Sequence, residues 1–85
     1  MAKGILMHDP SDDVGVAVMD LGAGDEIKAV TLEGDPVKTI TLVEDVPLGH
    51  KVALRDLPKD KHVIEYAAEI GVAYVPIKLG GHVHV

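Results

Sequence analysis

Glycine, proline and aspartate punctuate this chain, and the hydrophobic periodicity between them reads as strands. The intervening segments alternate. Val14, Val16 and Val18 are interleaved with Gly15, Ala17 and Met19, the period of a half-buried strand. Residues 26–32 form a second strand, ended by the turn chemistry of Glu33-Gly34-Asp35-Pro36. Residues 37–43 alternate again, with Thr39 and Thr41 suited to a pleated surface, and Pro47 and Gly49 close the segment. Shorter strands are expected at 51–54, 62–66, 72–75 and 82–85. Turns at Pro58-Lys59-Asp60, Glu69-Ile70-Gly71 and Gly80-Gly81 separate them. Only 65–70 has room for one helical turn, which Gly71 would stop. The fold class is all-β, and residues 1–85 form a single small domain with its core at about 13–85 and 1–12 as an N-terminal extension.

A repeat runs through these strands. Val16-Ala17-Val18-Met19-Asp20-Leu21 with Gly24 and Ile27 aligns on Val52-Ala53-Leu54-Arg55-Asp56-Leu57 with Asp60 and Val63. Val72-Ala73-Tyr74 with Ile77, Gly80 and Val83 keeps the spacing with fewer matched positions. Each unit is a strand, an inward apolar residue, a tight turn and an apolar entry into the next strand. Such corners predict a bent, pseudo-symmetric β structure rather than a flat sandwich.

Composition narrows the function. Aromatic residues are 2% of 85, so the core is aliphatic, and a chain this short has a thin stability margin that a partner can relieve. Fourteen acidic against eight basic side chains give a net charge of -6, which argues against nucleic acid and against an anionic membrane surface. With no Cys there is no disulfide, thiolate nucleophile or thiolate metal site. The start has too short an apolar run for a signal peptide, so a soluble cytoplasmic protein is expected.

The five histidines carry the remaining chemistry. His82 and His84, two apart in an extended segment, share a face and can bind a divalent metal or an anionic substrate; the alternative is a solvated strand, because two ligands do not complete a site. His50, in Gly49-His50-Lys51, offers a titratable group beside a cation, able to hold a carboxylate or move a proton, or else it is simply a polar turn. His62 lies in a charged, solvated turn. His8 precedes Asp9-Pro10-Ser11-Asp12-Asp13, which lacks the ligand spacing of an EF-hand and reads as a solvated loop. Ser11 has no nucleophile motif around it, and no phosphate-binding loop is present. The chain alone holds no complete active site.

The block Leu48-Gly49-His50-Lys51-Val52-Ala53-Leu54 is followed by Val63-Ile64-Glu65-Tyr66, by Ile70-Gly71-Val72-Ala73 and by Gly80-Gly81-His82-Val83-His84-Val85. In this order and spacing they resemble the SAF domain of the altronate and galactarate dehydratases, a β-clip module. The same version occurs as the separate small subunit of sulfolactate sulfo-lyase. The resemblance implies a β-clip fold of short bent strands. It also implies the small subunit of a two-part hydro-lyase acting on sugar acids or related hydroxy acids, inactive alone and completed by a large catalytic subunit. It further implies a divalent cation, iron or manganese, held mainly by that partner. His50 is the expected catalytic residue, His50 and Lys51 are expected to meet substrate, and His82 and His84 to serve the metal. Two departures stand out: Glu65 and Ala67 flank Tyr66 where the family has Lys-Tyr-Gly, and the family pattern continues past His-Val-His-Val to another His and an Asn. The competing readings are a non-catalytic carbohydrate-binding or protein-interaction SAF module, able to self-associate in isolation, and a stand-alone metal-binding protein.

Overall fold

Short alternating segments bury one face each only if they are folded back on one another, and this chain does so with strands alone. The structure, a computed structural model, describes residues 2–66 and 68–83. The strands are β1 Ala2–Leu6, β2 Val14–Ala17, β3 Glu26–Val30, β4 Pro36–Thr41, β5 Lys51–Ala53, β6 His62–Glu65, β7 Ala68–Val72 and β8 His82–Val83. Six form one sheet in the order β4-β3-β1-β2-β5-β8, and β6 and β7 form a separate hairpin. The all-β expectation holds, and no helix among the described residues is long and apolar enough to cross a membrane.

Two segments differ from the sequence reading. Residues 2–6, set aside as part of an extension, are a strand inside the sheet, antiparallel to β2 and parallel to β3. Lys3 and Gly4 break the alternation that would have revealed it. Gly4 is required there because a Cβ would lie 2.8 Å from Cγ2 of Ile27 and 3.0 Å from Cδ2 of Leu21. The second difference is at 68–72, where a turn and a strand at 72–75 were expected. Glu69, Ile70 and Gly71 instead lie in β7, paired with β6, so the room for a helical turn is taken by a hairpin in which Tyr66 has φ +57°.

The repeat is real and has one more copy than the sequence disclosed. Four apolar pivots, Leu21, Val46, Leu57 and Ile77, each sit in an isolated bridge, Leu21 with Val46 and Leu57 with Ile77. Three residues after each pivot the backbone turns left-handed, at Gly24, Gly49, Asp60 and Gly80, with φ of +89°, +85°, +70° and +84°. Within each pair the pivots exchange both backbone hydrogen bonds, at 2.9 Å for Leu21 and Val46 and 2.7 Å for Leu57 and Ile77. The aspartate before a pivot caps the opposite turn. Asp20 Oδ1 accepts from the Leu48 amide at 2.9 Å, Asp45 Oδ1 from Ala23 at 2.9 Å, and Asp56 Oδ1 from Leu79 at 2.8 Å. Pro76 precedes the fourth pivot and has no such oxygen. The copy at Val46-Pro47-Leu48-Gly49 escaped the sequence alignment because its proline and glycine read as a plain strand terminator.

Each pair of corners closes over its own apolar cluster. Leu21 and Val46 pack with Ile5, Ile27, Ile40 and Leu42, while Leu57 packs with Val14, Val63, Ala73 and Val83 and is flanked by Ile77. Strand β5 divides the two: Val52 faces the first cluster and Ala53 the second, as the pleat requires.

Candidate functional site

The period of the strand decides which polar groups can meet. His82 of β8 is paired with Val52 of β5, so the two side chains stand on one face. His50 lies two residues before Val52 and points the same way. The two imidazoles come together there, with Nδ1 of His50 2.8 Å from Nε2 of His82 and ring centroids 4.9 Å apart. The corner after Val46 carries His50, and the corner after Ile77 carries Gly80 and Gly81 into His82. Both pivots therefore contribute to placing the pair.

Lys51 is not part of it. Its Cα partner is Val83, which lies on the other face, and its Nζ is 3.6 Å from Oε1 of Glu65. Glu65, the departure from the family's Lys-Tyr-Gly, is a buried carboxylate with 7% of its side chain exposed, against 34% for Lys51. Lys51→Met is therefore expected to cost stability, about 1–3 kcal/mol by leaving a buried acceptor without its cation, with solvent around Lys51 pulling toward the lower figure. Denaturant melts measure it. Unchanged stability with a raised KM in the assembled enzyme would instead place Lys51 on the substrate.

Beside His82 opens a hollow of about 370 Å³, lined by Val43, Glu44, Tyr74, Val75, Ile77 and Lys78 among others. Sequence reasoning missed its polar members, because Glu44, Tyr74 and Lys78 sit in three different turns that only the corner geometry unites. Its rim is apolar and open at Tyr74, 77% exposed, and Val75, 63% exposed. Exposed apolar surface gathered around a polar pair is the pattern of a surface that another molecule covers.

His62 and His8 take no part in the pair. His62 Nδ1 lies 2.8 Å from Oε1 of Glu69 on the exposed hairpin. His8 stacks on Tyr66 with centroids 3.4 Å apart, and its Nδ1 is buried. The loop after it is solvated only in its first half, at Pro10 and Ser11. Asp12 and Asp13 are buried, and Asp13 accepts from the Ile64 amide at 2.8 Å and meets Lys61 at 3.2 Å. Its carboxylate ties β2 to β6. At the exposed Asp9, the Ser11 hydroxyl and amide both donate to the carboxylate and lower its pKa.

His84, the other expected metal ligand, lies outside the described residues. Among the described residues no three His, Asp or Glu side chains gather as a metal would need, and Nε2 of His82 is engaged by His50. The described residues do not fit a metal site.

Residues 3–85 match the altronate/galactarate dehydratase SAF domain. The chain is 36% identical over 86 residues to (2R)-sulfolactate sulfo-lyase subunit alpha of Chromohalobacter salexigens, covering 100% of this chain and 92% of that one. It is 42% identical over 73 residues to altronate dehydratase of Escherichia coli, covering 86% of this chain and 14% of that enzyme. With galactarate dehydratase (L-threo-forming) of Escherichia coli the identity is 40% over 76 residues, 89% of this chain and 13% of that enzyme.

Proposed function

Because this chain belongs to the altronate/galactarate dehydratase SAF-domain family, we propose that it is the small subunit of a two-part lyase that eliminates water or sulfite from a hydroxy acid. The observation that carries the reading is the His50–His82 pair, beside the exposed Tyr74 and Val75 and without the rest of an active site among the described residues. A relative of nearly the same length is named as a subunit, and in the dehydratases the matching region is about a seventh of the enzyme. Both facts support a reading in which most of the catalytic apparatus belongs to a large partner chain that works with this one in the cytoplasm.

Elimination from a hydroxy acid removes a proton from the carbon beside the carboxylate and expels the substituent one carbon further on. His50 supplies the proton-moving group, since imidazole exchanges protons near neutral pH. The hollow seats the carbon chain against Val75 and Ile77, with Lys78 as the cation available to the carboxylate in place of Lys51. An iron or manganese ion, which would polarise the carboxylate, belongs on this reading to the partner.

The test is reconstitution. The large chain is assayed with altronate, galactarate and sulfolactate, with and without an equimolar amount of this one. Turnover of one of the three that requires both chains is the expected outcome. Full activity from the large chain alone would refute the assignment and favour a non-catalytic carbohydrate-binding or interaction module.

A further inference from the structure

We infer that His82 is the proton-holding partner of His50, so that the two imidazoles work as one acid–base unit rather than as a base and a metal ligand. The inference rests on the lyase reading for its substrate but on the geometry for its chemistry. The contact uses Nδ1 of His50 and Nε2 of His82 at 2.8 Å, the separation of a hydrogen bond. One proton occupies such a bond, and its position fixes what the remaining nitrogen of His50 can do. With the proton on Nδ1 of His50, Nε2 of the same ring is a bare lone pair, a base. With the proton on Nε2 of His82, a neutral His50 carries its own proton on Nε2, where it is a donor.

The elimination then balances within the pair. Nε2 of His50 takes the proton beside the carboxylate, the C–H electron pair stays on the substrate, and the Nδ1 proton passes to Nε2 of His82. The positive charge now rests on His82, and His50 is neutral with a proton facing the substrate. As the carbon–oxygen bond breaks, that proton goes to the departing hydroxide to give water. The proton on His82 returns to Nδ1 of His50, and the pair is restored.

Glu44, Tyr74 and Lys78 share the hollow with His82. Asp20 caps the corner that carries His50 through the Leu48 amide, and Lys51 is turned away to Glu65. The bond spans 32 residues of sequence, and the β5–β8 pairing fixes it.

Two measurements decide the point. The first is scalar coupling between Nδ1 of His50 and Nε2 of His82 in the ¹⁵N-histidine-labelled chain, expected in the wild type and lost in His82→Ala. The second compares His82→Ala with His82→Gln in the reconstituted lyase. Gln can accept the Nδ1 proton's hydrogen bond and hold the ring but cannot take the proton. Both variants are expected to lose roughly 10- to 100-fold in kcat with KM nearly unchanged, and to melt as the wild type does. Restoration of kcat by Gln would reduce His82 to an orienting role, and absence of the coupling would remove the pair; either result overturns the inference. Wild-type coupling in a chain that never stimulates its partner would instead count against the lyase reading and leave the pair standing.

Discussion

Gly80→Ala is expected to leave most of the chain unfolded under conditions where the wild type is native. A Cβ at this position would lie 2.2 Å from the carbonyl oxygen of Thr41 and 3.1 Å from its carbon. Both are backbone atoms, so no side chain can swing aside. The φ of +84° adds the ordinary strain of a left-handed alanine, roughly 1–2 kcal/mol. The amide of Gly80 donates to Ala53 at 2.8 Å and its carbonyl accepts from Val43 at 3.1 Å, so moving the residue also breaks two backbone bonds. A loss above about 4 kcal/mol is expected, a large part of the whole for a domain of this size. Gly49→Ala is the control, because it occupies the equivalent corner position with nothing within 4 Å of the added Cβ. It should cost only the strain, and Asp60 shows that a non-glycine residue is accommodated at this point of the corner. Urea melts of the two variants measure the difference. Equal losses would mean that the contact with Thr41 is not as described.

The second large effect is catalytic. His50→Ala is expected to lower kcat of the reconstituted enzyme by roughly 10²–10⁴-fold, the usual worth of a general acid or base. Its ring is exposed and belongs to neither apolar cluster, so the melting temperature should hardly change. Assembly with the proposed large chain should survive too, since the apolar rim at Tyr74 and Val75 remains. Single-turnover kinetics on the purified complex separate the effects. Wild-type kcat in that variant would remove His50 from the chemistry.

The corners were the legible part of this fold. Glycine and aspartate at fixed offsets from an apolar residue are local signals, and Leu21, Leu57 and Ile77 were found by them. Their pairing was not legible, because the partner of Leu21 is Val46, and nothing near Leu21 specifies a bridge across the intervening residues. Two strands that contain glycine were lost for a similar reason. Gly4 in β1 and Gly71 in β7 serve close packing and a hairpin, yet in sequence they read as breaks. The site followed the same logic. Spacing grouped His82 with His84, which lies outside the described residues, and could not show that the sheet brings His82 to His50. Lys51 was placed with His50 because they are neighbours in sequence, and the pleat separates neighbours.

A structure of this chain bound to its large partner and a hydroxy-acid inhibitor bears most directly on the account. Nε2 of His50 should lie within hydrogen-bonding reach of the inhibitor, with His82 behind it and the Tyr74–Val75 rim covered by the partner. A complex in which the imidazole pair faces bulk solvent, far from the bound acid, would contradict it.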